Sequence, residues 1–324
     1  MGVFKAGGDQ RVRLPPIRNS WVPHAGVFPD RRVFHGHAVA AARVAGLAAH
    51  RLRRVGLPFL VGCFAIIPLN EWVMSGGKLE LAHLPWAWMD SLHHLWFLWV
   101  LMILVGVFIV AARVGAVFSS RLWWVAIPLI LLPQMLMAEP IFGPDTSDGI
   151  VPDPVVLGYY ALFFGFGSFC HQQHVVVSKR WAATLPFTLL PVFFAGLIVT
   201  YEFPGAWGRI LSAVLQVGYA WLMCFGLMGL FRWVAGAERP WVRYLSDASY
   251  WIYLWHLPLV VGGQWLMLDW PVNPHLKFLA LCLAVPGVLL IVYELGVRYT
   301  PVGVMLNGRR TRIGLPATGA ASGP

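Results

Sequence analysis

The feature that most constrains this chain is the recurrence of apolar stretches long enough to cross a lipid bilayer. A hydrocarbon core about 30 Å thick takes about 20 helical residues, because in lipid every backbone group needs a partner within the protein. Eight stretches meet that condition, at residues 56–74, 93–112, 122–137, 155–174, 185–201, 210–231, 249–268 and 277–297. The third is short and holds Pro128 and Pro133, which membrane helices tolerate. The expected fold is therefore all-α, a polytopic integral membrane helical bundle of about eight transmembrane helices. Composition agrees, since 58% hydrophobic and 12% charged residues lie outside the range of an ordinary soluble domain. The 17 Trp and nine Tyr suit the two headgroup levels of a bilayer.

Lys and Arg set the expected orientation, because cytoplasmic loops retain an excess of them. Arg51, Arg53 and Arg54 precede the first stretch, Arg113 and Arg121 follow the second, and Lys179 and Arg180 follow the fourth. Arg232, Arg239 and Arg243 follow the sixth, and Arg298, Arg309, Arg310 and Arg312 follow the eighth. The opposite gaps are sparse or acidic, most clearly residues 139–154, which hold Asp145, Asp148 and Asp153 and no Lys or Arg. Both termini are thus expected in the cytoplasm, with the bacterial inner (plasma) membrane as location. The formal charge of +10 sits between apolar runs rather than on a separate basic module, so the expected partner is the lipid bilayer and not nucleic acid.

Three regions are expected. Residues 1–50 form a basic segment, disordered or interfacial, with a helix plausible over 34–54 that lies on an anionic leaflet. No cleavage site follows a short apolar stretch near Met1, so this segment is expected to remain. Residues 51–300 form the membrane domain, and residues 301–324 a flexible cytoplasmic tail. Cys63, Cys170, Cys224 and Cys282 each fall in a separate apolar run and read as small hydrophobes. His171 and His174 lie three apart, but no further ligands accompany them, and no metal is expected.

Ionisable groups in or near membrane helices are costly and mark candidate sites. His93 and His94 open the second stretch, either as interfacial residues beside an aromatic belt or as a base near neutral pH. Glu139 and Glu202 end the third and fifth stretches on the outer side, where with His94 they could line a pocket for a polyhydroxyl substrate or be ordinary interfacial carboxylates. His256 lies seven residues inside the seventh stretch, about 10 Å below its inner end, either hydrogen-bonded for structure or functional. Arg51 and Arg54 form an Arg-x-x-Arg pair that reads as inner-side charge or as a phosphate clamp. Glu294 and Arg298 have the spacing of an intrahelical ion pair.

Three phrases on successive stretches carry a resemblance: Arg51-Leu-Arg-Arg-Val-Gly-Leu-Pro-Phe-Leu, His94-Leu-Trp-Phe-Leu, and Ser246-Asp-Ala-Ser-Tyr-Trp-Ile-Tyr-Leu-Trp-His-Leu-Pro. Over residues 49–299 the chain resembles the acyltransferase family 3 of membrane proteins, in the branch that includes the glucan biosynthesis protein C succinyltransferases. The resemblance implies an enzyme that moves an acyl group from a cytoplasmic acyl-CoA co-substrate, with no bound cofactor, to a hydroxyl of a carbohydrate or glucan-type acceptor. It assigns Arg51 and Arg54 to the acyl donor, and His94, Ser249, Tyr250 and His256 to recurring polar positions. It also implies about ten helices, the first carrying an Arg and the His regarded as catalytic base, the second a Phe-rich Ser-Gly segment. Neither helix is matched here, and His24, His35, His37 and His50 lie outside any stretch. Impaired activity is therefore expected unless His94 or His256 takes the part of the base. Two other classes compete: a transporter or flippase, which the interrupting prolines would allow although no inverted repeat is visible, and a non-catalytic membrane partner.

Overall fold

The computed structural model describes residues 52–78, 84–113, 121–138, 141–235 and 239–307. Among these residues every regular element is helical, and the chain is an all-α integral membrane bundle. The expectations for residues 1–50, Arg51, Glu139 and the tail beyond Asn307 lie outside the described residues.

Among the described residues six helices are long and apolar enough to cross a membrane: Arg54–Met74, His93–Ala111, Pro154–Gln172, Lys179–Glu202, Ala206–Val234 and Pro274–Val297. Each matches an expected stretch. We label the main elements α1 Leu57–Met74, α2 Leu84–Asp90, α3 Trp96–Arg113, α4 Pro154–Gln172, α5 Lys179–Glu202, α6 Ala206–Val234, α7 Pro240–Leu266, α8 Pro274–Val292 and α9 Pro301–Asn307.

The two remaining stretches differ from expectation for physical reasons. Around Pro128 and Pro133 the third is a 3-10 turn followed by two short α segments, Ala126–Leu129 and Leu131–Leu136, because each proline removes an N–H and crowds the preceding turn. The seventh belongs to α7, whose 27 residues are long enough to span but whose polar side chains keep it out of the most apolar class. Its helix starts at Pro240 rather than 249, with proline at the first turn, where a missing N–H costs nothing.

Local chemistry fixes several helix starts. Asp153 accepts from the N–H groups of Val155 at 2.6 Å and Val156 at 3.1 Å ahead of Pro154, and Asn273 accepts from His275 N–H at 2.9 Å ahead of Pro274. Both are side-chain caps followed by proline. Gly205, at φ +96°, turns the chain between α5 and α6. Those two helices approach closely, since a Cβ on Gly229 would stand 2.7 Å from Ala182 N, the small-residue contact that membrane helices favour.

Two cores organise the bundle. One gathers Ile66, Ile67, Leu92, Leu95, Leu98, Leu254, Tyr293 and Leu306 from α1, the turn before α3, α3 itself, α7, the π-turn after α8, and α9. The other gathers Ala126, Ile130, Phe166, Phe169, Val217 and Trp221 from the broken stretch, α4 and α6. Within the part read as tail, α9 thus contributes a buried Leu306, and Asn307 Nδ2 donates to the Asp247 carbonyl at 2.7 Å.

Two irregular segments fold back between these helices. Trp88 on α2 donates to the Cys63 carbonyl at 3.0 Å. Cys63 lies eleven residues before the end of α1, so α2 returns about 16 Å along that helix. The acidic loop behaves alike. Gly143 N–H donates to Gln216 Oε1 at 2.8 Å, ten residues into α6, and Trp99 Nε1 donates to the Ile150 carbonyl at 2.7 Å. The segments also bond to each other, Leu92 N–H to the Asp148 carbonyl at 2.5 Å and Ile150 N–H to the Met89 carbonyl at 3.2 Å. Irregular backbone at this depth is sustained only where protein or a water-filled cavity satisfies it.

Candidate active site

The re-entrant turn through α2 delivers His93 and His94 to the flank of α7. His94 Nε2 lies 3.0 Å from the Leu254 carbonyl, fourteen residues into a 27-residue helix. The ring thus packs against the middle of α7. The reason is local. Pro258 stands four residues after Leu254 and has no N–H to return to that carbonyl, so the acceptor is open to a side chain.

A carbonyl can only accept, so the neutral His94 ring carries its proton on Nε2 and keeps a lone pair on Nδ1. Nδ1 is buried with no hydrogen-bond partner. His256 has the opposite arrangement. Its Nδ1 lies 2.7 Å from the Tyr253 carbonyl, which assigns that proton and leaves the lone pair on Nε2. The two rings meet edge to face with centroids 5.0 Å apart. Because α7 begins at Pro240, His256 is sixteen residues into the helix, about 24 Å along it, rather than the seven expected from a start at 249.

Tyr253, which the sequence reading passed over, ties this pair together. Its hydroxyl donates to the His94 carbonyl at 2.5 Å, and its ring lies 5.6 Å from that of His94. Tyr250 stacks on Tyr253 at 6.5 Å, and its hydroxyl is buried without a partner. Ser249 is exposed and donates to the Ser246 carbonyl at 2.8 Å, so its hydroxyl is satisfied one turn back.

The end of α1 supplies two further residues that sequence reasoning missed. Glu71 Oε1 lies 2.9 Å from His93 Nε2, and His93 holds φ +46°, a left-handed conformation uncommon outside glycine. Asn70 is 0% exposed, and neither its amide nitrogen nor its oxygen has a hydrogen-bond partner. The signal was present in the sequence: an Asn-Glu pair closing an apolar run is as costly in lipid as the histidines that were singled out.

The other expected site residues fall elsewhere. Glu202 ends α5, exposed, in the half of the bundle where α5 packs on α6. Glu294 pairs with Arg298 at 2.8 Å, the expected i,i+4 contact, and accepts from Tyr299 at 3.3 Å. The Arg298 guanidinium lies over the Tyr244 and Tyr299 rings at 5.0 and 5.2 Å. Burial works against the Arg298 charge, but the hydrogen bond and charge of Glu294 outweigh it and hold that charge more firmly than usual. Arg54 is exposed on the π-turn before α1, a turn against which α9 packs. His171 lies in the last turn of α4 and the exposed His174 just beyond it, and among the described residues no group of three possible metal ligands occurs.

The family model described as an acyltransferase domain, of the acyltransferase 3 type, matches residues 42–294. No curated protein and no solved structure matches the chain. The matched region takes in the His94–His256 pair, α1 and all of α7.

Proposed function

Because the chain belongs to this acyltransferase family, we propose that it moves an acyl group from a cytoplasmic acyl-CoA to a hydroxyl of a carbohydrate or glucan-type acceptor in the bacterial inner membrane. The observation that carries the proposal is the state of His94: Nε2–H engaged by Leu254, and an Nδ1 lone pair buried and unpartnered. That is a neutral base held in place by the backbone.

The reaction needs one proton moved twice. The acceptor hydroxyl gives its proton to His94 Nδ1 as its oxygen attacks the thioester carbonyl; the C–S bond then breaks and the imidazolium returns the proton to the departing thiolate. The products are an O-acyl ester and free CoA. His256 Nε2 sits on the same pair of rings and can share the proton. Arg54, on the inner side by the positive-inside rule, presents a planar fork for the phosphates of the donor. Base catalysis of this kind contributes about 10² to 10⁴ in rate.

The test is transfer of labelled acyl groups from acetyl-CoA or succinyl-CoA to glucose oligosaccharides by the purified chain in proteoliposomes. Transfer that falls at least 100-fold in His94→Gln supports the assignment. Passage of the oligosaccharide across the membrane without acylation would replace it with a transporter.

A further inference from the structure

Asn70 is a fully buried polar side chain on α1 that no described residue satisfies. It shares the buried face of that helix with Ile66 and Ile67, both 1% exposed or less, which sit in one core with Leu92, Leu95 and Leu254. One turn further on, Val73 Cγ1 would stand 3.8 Å from a Cβ on Gly262. Asn70 therefore lies between the Leu254 and Gly262 levels of α7, on the side where Glu71 holds His93 at 2.9 Å. A buried amide without hydrogen bonds is costly in water-free surroundings, and each unsatisfied group in lipid costs more than at a surface. Nothing in helix propensity favours Asn there either, since it is a poor helix-interior residue.

Both halves of the amide are orphaned, the Nδ2 donors and the Oδ1 acceptor. This narrows the chemistry of what would complete it. A carbonyl or phosphate could only accept, and an ammonium could only donate. A hydroxyl does both, and two neighbouring hydroxyls on one sugar ring match the donor and acceptor of one amide at once. We infer that Asn70 is an acceptor-binding residue that holds the hydroxyls of a polyol beside the one presented to His94. The inference rests on the acyl-transfer reading for its identification of the acceptor, and it deepens that reading by separating acceptor recognition on α1 from donor recognition at Arg54. The Tyr250 hydroxyl and His94 Nδ1 are likewise buried without a partner, Tyr250 on α7 and His94 against it at Leu254.

A residue retained for binding at the expense of packing has a distinctive signature on replacement. Asn70→Leu keeps the branched shape of the amide in a larger side chain and removes the unsatisfied groups, so the full chain in detergent should melt about 2 to 6 °C higher than wild type. Wild type should melt higher in the presence of a glucose oligosaccharide; Asn70→Leu should lose that shift, and Asn70→Gln, which keeps the amide, should recover part of it. In transfer assays the leucine variant should lose at least about tenfold in kcat/KM for the oligosaccharide. A leucine variant that melts lower or fails to fold shows Asn70 to be structural and overturns the inference. So does an oligosaccharide shift that is absent in wild type or undiminished in the variant. A shift present in wild type and lost in the variant, with no acyl transfer by either, leaves Asn70 as a saccharide-binding residue and removes the transferase reading.

Discussion

His94 donates to the α7 carbonyl that Pro258 leaves without an N–H: the acceptor is Leu254, four residues before the proline, at 3.0 Å. A proline inside a helix usually weakens it. Here the vacant acceptor fixes which ring nitrogen of His94 carries the proton and so which one stays basic. The relationship makes a coupled prediction. In wild type, His94→Phe leaves the Leu254 carbonyl buried and unpaired; in Pro258→Ala the helix supplies its own N–H and the same substitution should cost less. A double-mutant cycle by thermal unfolding should give a coupling of about 1 kcal/mol. Additive costs would show that His94 and Pro258 act independently.

Activity should respond in the opposite sense to stability. Pro258→Ala returns a regular hydrogen bond to α7 and releases the His94 ring, so the variant should fold at least as well as wild type while acyl transfer falls about 10- to 100-fold, as expected when a catalytic group loses its orientation. Measuring kcat beside the melting temperature separates the two effects. Full activity in this variant would mean that the Leu254 contact is not what positions the base.

Tyr253→Phe tests the second tie. The variant loses the O–H bond from Tyr253 to the His94 carbonyl, 2.5 Å in length, and keeps the aromatic contacts with His94 and His256. Stability should drop by about 1 kcal/mol. Hydrogen exchange should speed up at the backbone amides of Leu95 and its neighbours, because the tyrosine anchors the start of α3. Unchanged exchange there would assign the tyrosine hydroxyl no part in holding the turn.

Much of the architecture was legible because a bilayer turns composition into structure. Six expected stretches became membrane-length helices, since a long run of apolar residues in lipid has few other ways to satisfy its backbone. Polarity hid the beginning of α7: Arg243, Ser246 and Asp247 interrupt the apolar run, although Pro240 is a good helix start. The re-entrant segments were illegible for a different reason. The partners of Trp88, Gly143 and Trp99 lie 25, 73 and 51 residues away, so nothing local tells their loops from ordinary surface turns. The histidines were visible as costly residues in apolar sequence, but their pairing was not. That pairing depends on Pro258 opening one carbonyl and on α2 carrying His94 back to meet it.

The Lys and Arg distribution makes the last prediction, and the fold decides how to test it. With basic gaps inside, the acidic loop is expected to face outward, and the proposed acceptor to reach His94 from the side opposite Arg54. Ser147 lies in that loop but is 3% exposed and accepts from Asp153 N–H at 2.9 Å, so a reporter inserted there would break the segment that packs on Leu92. Val151 is 87% exposed in the same loop. A single cysteine at Val151 in a chain lacking the four native cysteines should react with an impermeant maleimide from outside intact cells. One at Lys179, which is exposed at the start of α5, should react only after the membrane is opened. The reverse pattern would place Arg54 on the outer face, away from cytoplasmic acyl-CoA, and the direction of transfer proposed here would fall with it.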